Sequence, residues 1–128
     1  MMKINVVAAI IIEYDKVFAT QRGYGGFKDM WEFPGGKIEE GEMPSEALVR
    51  EIYEELDILI DVGDLLDTIE YNYPEFHLSM QCFLCTIRKG TIVLKEHESA
   101  RWLTKETIYD VDWLPADVEL IAKVVEIL

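Results

Sequence analysis

From Ile4 to Ile12 the chain is apolar apart from Asn5 and rich in β-branched residues, the pattern of a central strand buried on both faces. Glu13 to Lys16 is polar enough to turn, and Val17 to Gln21 returns as a second strand. Gly23-Tyr24-Gly25-Gly26 breaks regular structure, and Trp31-Glu32-Phe33 is a short extended piece ended by Pro34-Gly35-Gly36. From Pro44 to Leu56 the residues are mostly Glu, Ala and Leu with no breaker. A helix is predicted there, with Pro44 in its first turn, where a missing N–H costs nothing. Strands are predicted at Ile58 to Val62, Leu65 to Tyr73, Leu78 to Arg88 and Thr91 to Leu94, the last two joined as a hairpin through Lys89-Gly90. Ala100 to Leu103 adds a strand, and Thr104 is placed to cap a short helix. Asp117 to Leu128 closes the chain with apolar residues at Val118, Ile121, Val124, Val125 and Leu128, an amphipathic helix. Strands interleaved with two substantial helices predict an α/β or α+β sandwich.

Length and composition narrow this picture. A chain of 128 residues is expected to form one domain, and 50% hydrophobic residues suffice for a core without disulfides. The formal charge of −13 repels polyphosphate backbones and argues against polymeric nucleic acid as a partner. A small phosphorylated ligand is repelled too, unless divalent cations neutralise the carboxylates locally. Cys82 and Cys85 form a C-x-x-C inside a predicted strand, so they fall on opposite faces and are read as reduced structural thiols. Ile4 to Ile12 lacks a basic leader and a cleavage site, and no stretch reaches the roughly 18 apolar residues of a membrane span. The expectation is a cytoplasmic protein with no membrane partner.

Chemistry concentrates on the first helix. Glu51, Glu54 and Glu55 are spaced i, i+3, i+4 and share one face, while Val49, Ile52 and Leu56 form a neighbouring stripe that can pack on a sheet. Like charges on adjacent turns repel, and a hard divalent cation reverses that sign, since carboxylate oxygens suit Mg²⁺ or Mn²⁺. A solvated acidic face is the plainer alternative.

The spacing around the glutamates is more specific. Gly36, five residues, Glu42, seven residues, then Arg50-Glu51-Ile52-Tyr53-Glu54-Glu55-Leu56-Asp57-Ile58 resembles the Nudix box, with Asp57 where the family has glycine. That glycine ends the helix in a left-handed conformation, which Asp tolerates better than most residues, at a small expected cost in stability. The likeness extends through Trp31 to Lys37 and Leu114 to Asp117 and is strongest to MutT-like nucleoside triphosphate pyrophosphohydrolases. It implies the Nudix α/β/α sandwich with a mixed central sheet.

The resemblance also implies roles. Glu51, Glu54 and Glu55, with the carbonyl of Gly35, are the expected ligands of Mg²⁺ or Mn²⁺. Glu55 is the most critical of them, and Glu51 also orients the attacking water. Arg50 is expected to hold the glutamates, and Glu42 to act as an outer ligand or a loop anchor. Glu96 is the expected ligand or base from outside the box, with Glu98 second and an exposed charged loop as the alternative. Arg22 is expected at phosphate or in a surface salt bridge. Phe33, Tyr73 and Phe76 are candidates to sandwich a nucleobase, Phe33 equally for the core. Asp117 is expected to read a base edge and to N-cap the last helix, and His77 to be structural. The implied reaction converts a nucleoside triphosphate, first an oxidised purine such as 8-oxo-dGTP, to monophosphate and pyrophosphate. CTP or 5-methyl-dCTP is the alternative, and a non-catalytic nucleotide- or protein-binding module is the rival of another class. A monomer or homodimer is expected.

Overall fold

A computed structural model describes residues 1–128. The continuous apolar run becomes β1 (Met2–Glu13), which turns into β2 (Lys16–Arg22). Trp31–Glu32 (β3) pairs with β2, and Gly35–Lys37 (β4) pairs antiparallel with β1. The Pro34-Gly35-Gly36 turn predicted from sequence therefore continues into a strand. Gly35 permits it: a Cβ there would lie 1.9 Å from the carbonyl oxygen of Val7.

Helix α1 (Pro44–Leu56) has the predicted bounds. Its N-terminus is closed by Glu46, whose carboxylate accepts the Met43 N–H at 2.9 Å. Its C-terminus is Asp57 at φ 59° and ψ 32°, the left-handed geometry the family glycine would adopt.

Two sequence expectations are corrected here. Leu59–Asn72 (β5) is one strand rather than two, because its partner β6 (Phe76–Lys89) runs on uninterrupted and absorbs Gly63-Asp64 as irregularities in the register. Thr91 to Leu94 forms no strand, and no hairpin forms through Lys89-Gly90. Those residues instead run across the end of α1, where Val93 N–H donates to Leu56 O (2.9 Å) and Lys95 N–H to Glu55 O (3.2 Å). The last carbonyls of a helix need partners, and this segment supplies them.

Strand β7 (His97–Leu103) pairs antiparallel with β2, and a 3₁₀ turn (Ile108–Asp110) leads to α2 (Pro115–Ile127). Thr104 closes the preceding turn, its hydroxyl accepting from the N–H groups of Glu106 and Thr107. The sheet runs β3-β2-β1-β6-β5 with β1 and β6 parallel and the other neighbours antiparallel, a mixed sheet. Period-2 alternation splits β1 between two cores. Val7, Ala9 and Ile11 pack with Leu48, Ile52 and Leu56 of α1, whereas Ala8 and Ile10 join the cluster holding Leu120, Ile121 and Val124 of α2. The result is an α/β/α sandwich. Cys82 lies in the α2-side core and Cys85 in the α1-side core, both free, and burial pushes both thiols well up. No helix is long and apolar enough to cross a membrane.

Candidate active site

The loop leading into α1 and the helix itself are tied together by Arg50. Its guanidinium donates to Glu42 at 2.7 and 2.9 Å, to Glu51 at 3.0 Å, to Glu54 at 3.3 Å and to Lys37 O at 3.1 Å. Glu42 also accepts the Glu39 N–H at 2.8 Å. These donors hold the Glu42 carboxyl down to about 2. Glu42 thus sits in the geometry of a loop anchor, turned toward Arg50. Gly36 makes room for Glu51, since a Cβ there would lie 2.3 Å from the Glu51 carboxylate carbon.

Glu55 points into the protein, with its carboxyl within reach of Glu51. Its side chain is 13% exposed, and its Oε2 is buried without a hydrogen-bond partner. Burial pushes the Glu55 carboxyl up to about 9, and the negative fields of Glu51, Glu96 and Glu32 add to the effect. A cavity of about 290 Å³ opens beside it, lined by Glu55, Glu96, Gly35, Glu32, Arg22 and His97 among others. Glu98, the second choice for the outer carboxylate, instead faces Asp29. The structure therefore gathers Gly35, Glu55 and Glu96 at one cavity, puts Glu51 between Glu55 and Arg50, and leaves Glu54 on the Arg50 side. No three carboxylate or imidazole side chains are preassembled around one point.

The chemistry of the donor set suits a hard cation all the same. Every candidate ligand is an oxygen, and the partnerless Glu55 Oε2 is a buried acceptor without a donor, which is costly unless something positive meets it. Two residues at this cavity carried no role in the sequence reading. Glu32 takes Arg22 in a two-pronged bond (2.7 and 3.2 Å), and His97 brings Nε2 to 3.9 Å from Glu55 Oε2. Arg22 thus makes an ion pair with Glu32 while also lining the cavity. Nothing in local sequence announces Glu32 or His97, because strand pairing puts Thr20 beside Glu32 and Arg22 beside His97.

A second cavity, about 250 Å³, adjoins the first, and Arg22, Glu32 and Gly35 line both. Its walls include Phe33, Tyr73, Phe76 and Asp117, which the sequence reading singled out, and Phe27, which it did not. Phe33 is 3% exposed and packs on Trp113 with ring centroids 4.6 Å apart, so it serves the core and shows the cavity only part of its surface. Tyr73 stacks on Phe76 at 5.1 Å. His77 lies outside both cavities, between Asn72 Oδ1 (2.6 Å) and Glu70 Oε1 (2.8 Å).

Asp117 corrects one expectation. It is not the N-cap of α2; Leu114 holds that position and Asp117 lies inside the first turn. The Tyr73 hydroxyl does part of the capping from across the sheet, accepting the Ala116 N–H at 3.1 Å. Asp117 Oδ2 instead accepts the Phe33 N–H at 2.9 Å. The Leu114 N–H donates to Trp31 O at 2.8 Å, which fixes the start of α2 against β3 and brings Asp117 to Phe33. Asp117 is 4% exposed, and burial raises its carboxyl to about 8.

These features have counterparts in known proteins. The NUDIX domain pattern matches residues 2–124, and the chain belongs to the Nudix family. It is a MutT-like member and a hydrolase of the pyrophosphohydrolase type. The 8-oxo-dGTP diphosphatase of Escherichia coli (strain K12) is 34% identical over 125 residues, spanning 96% of this chain and 97% of that protein. The CTP pyrophosphohydrolase of the same strain is 33% identical over 122 residues, spanning 94% and 90%. Among solved structures, the E. coli ORF135 protein superposes with a TM-score of 0.85 at 31% identity, covering 99% of this chain and 91% of that one. MutT from methicillin-resistant Staphylococcus aureus 252 superposes at 0.78 with 36% identity, each chain covered in full.

Proposed function

We propose that the protein hydrolyses a (deoxy)nucleoside triphosphate to the monophosphate and pyrophosphate, with the triphosphate in the acidic cavity and the base in its aromatic neighbour. The observation that carries this is the shared wall: Arg22, Glu32 and Gly35 border both spaces, so one ligand can occupy the two at once. The similarity to an 8-oxo-dGTP diphosphatase over nearly the whole chain supports an oxidised purine as the preferred base. The similarity to a CTP pyrophosphohydrolase supports CTP or 5-methyl-dCTP as the alternative. The two differ in what Asp117 must offer. An ionised carboxylate suits the N–H groups on the edge of a guanine, and a protonated one suits the ring acceptors of cytosine. A carboxyl raised to about 8 serves either at neutral to alkaline pH.

Gly35 O, Glu51, Glu54, Glu55 and Glu96 are the residues that would hold Mg²⁺, with Mn²⁺ as the alternative. Bound there, a divalent ion supplies Lewis-acid polarisation of a phosphoryl oxygen and a more acidic water. Arg50 keeps Glu42 and Glu51 in register by its fork of charged hydrogen bonds. Glu51, with Oε1 held by Arg50, orients the attacking water through its second oxygen. Arg22 leans over the shared wall and meets the phosphates between base and reacting end. Water adds to the β-phosphorus, the bond from that phosphorus to the oxygen it shares with the α-phosphorus breaks, the oxygen stays with the monophosphate, pyrophosphate leaves, and the water's proton passes to solvent. The protein acts within the cytoplasm on a small-molecule substrate.

Pyrophosphate release with Mg²⁺, measured for wild type and Glu55→Gln across a panel of canonical and modified triphosphates, tests the reading. Turnover by the wild type that collapses in the variant supports it. Equal turnover in both removes Glu55 from the site, and a wild type inert toward every nucleotide favours a binding module.

A further inference from the structure

The segment between β2 and β3 reaches over both cavities, with Tyr24 lining the acidic one and Phe27 the aromatic one. Its bonds run mainly to β2 and within the segment itself, and Arg22 N–H also donates to Met30 O (2.9 Å). Arg22 Nη1 donates to Gly26 O (3.0 Å), Gln21 Nε2 to Asp29 O (3.0 Å), Asp29 N–H to Arg22 O (2.9 Å) and Met30 N–H to Phe27 O (3.1 Å). Within it, Gly25, Phe27 and Asp29 all have positive φ, at 78°, 60° and 73°. A left-handed backbone is uncommon for a residue as bulky as Phe, and it persists only where the surroundings impose it. Here it turns the Phe27 ring inward, 5.4 Å from the ring of Tyr73, while 43% of the residue stays exposed. Phe27 belongs to neither buried core. Core packing therefore does not account for its conformation.

We propose that Phe27 is a base-stacking residue, the outer wall of the base cavity, which covers a nucleobase opposite the Tyr73–Phe76 pair. The inference rests on the reading that this cavity takes the base. The segment hangs on Arg22, which also borders the acidic cavity. The cover over the base and the grip on the phosphate chain therefore share one side chain. An aromatic face stacks on any base, so Phe27 governs how long a nucleotide is retained, while Asp117 governs which base is read.

The test compares Phe27→Ala, Phe27→Trp and Phe76→Ala, titrating 8-oxo-dGMP and CMP by calorimetry and measuring kcat and KM with the matching triphosphates and Mg²⁺. Losing one stacked ring should loosen monophosphate binding and raise KM roughly tenfold in Phe27→Ala. Its kcat should stay within about twofold, because only binding shared by ground and transition states is lost. Phe27→Trp should restore binding. Wild-type affinity in Phe27→Ala, with Phe76→Ala weakened, overturns the role of Phe27 and leaves the base cavity standing. A fall in kcat at unchanged affinity also overturns it, since Phe27 would then serve the phosphate end. Failure of wild type to bind either monophosphate overturns the base-cavity reading and the inference with it.

Discussion

The two cavities share a wall and differ in chemistry, carboxylates around the first and apolar and aromatic side chains around the second. The acidic one sets Glu55 of α1, Glu32 of β3 and Glu96 around Gly35 and the β2–β3 loop, with Arg50 tying α1 to the loop before it. The aromatic one draws on β1, the β2–β3 loop, Phe33, β4, Tyr73, β6 and the start of α2, elements joined only by the fold. Reaction chemistry needs a fixed set of oxygens and can be carried by one short motif. Base selection needs a shaped surface, which any of several distant strands can alter without touching the motif. Changes in the first cavity should therefore act on all substrates alike, and changes in the second should act on their ranking.

Glu55→Gln makes the largest break. It should lower kcat on the order of 10²–10³-fold, the usual scale for losing one preorganised charged group at a reacting centre. Melting temperature should hold, because Gln keeps the size of Glu55 and brings no charge into the buried site. Arg50→Lys comes next. One ammonium cannot span Glu42, Glu51 and Glu54 as the planar fork does, so activity should fall roughly tenfold or more for every substrate. A ranking altered by either variant would blur the division between the cavities.

Asp117→Asn acts on the other side. It should shift the preference between purine and cytosine triphosphates roughly tenfold, the order of one base-reading hydrogen-bond pair. It also has a signature in stability. The Asp117 carboxyl rises from 3.8 to about 8 on folding, so between those values the folded protein keeps a proton the unfolded chain gives up. Wild-type stability contributed by this group falls as pH rises through that window. Asn carries no such proton and can still accept from Phe33 N–H. The urea midpoint of Asp117→Asn relative to wild type should therefore climb from pH 5 to pH 8. A flat difference would mean that Asp117 is ionised in the fold throughout.

The smallest effect tests the one departure from the family pattern. Asp57 occupies a left-handed position at φ 59°. Asp57→Gly should raise stability by about 1 kcal/mol in chemical denaturation while leaving kcat unchanged.

Gly35 and Glu55 of the acidic cavity were legible in the sequence because they sit at fixed spacing on one helix and its entry loop, whereas Gly23 to Gly26, Glu32 and His97 reach it from other elements. The sequence identified Pro44–Leu56 from its helix-forming composition and Pro44 in the first turn, the left-handed end at Asp57 from the family resemblance, and the opposite faces of Cys82 and Cys85 from strand periodicity. It read Thr91 to Leu94 as a strand because a β-branched, apolar run has the same local signal whether it pairs in a sheet or covers a helix end. It placed Asp117 at the N-cap because capping of Ala116 by Tyr73, 43 residues earlier, leaves no local trace. Glu32, His97 and Phe27 were missed for the same reason. Each is brought to its cavity by strand register or loop conformation, with no pattern around it.

The most direct measurement of the central division is kcat/KM for a panel of oxidised purine, canonical purine and cytosine triphosphates in wild type, Glu55→Gln and Asp117→Asn. The account predicts that Glu55→Gln lowers every value by a common factor and keeps their order, whereas Asp117→Asn reorders them with little change for the best substrate it retains. Reordering by Glu55→Gln, or a uniform loss in Asp117→Asn, would contradict it.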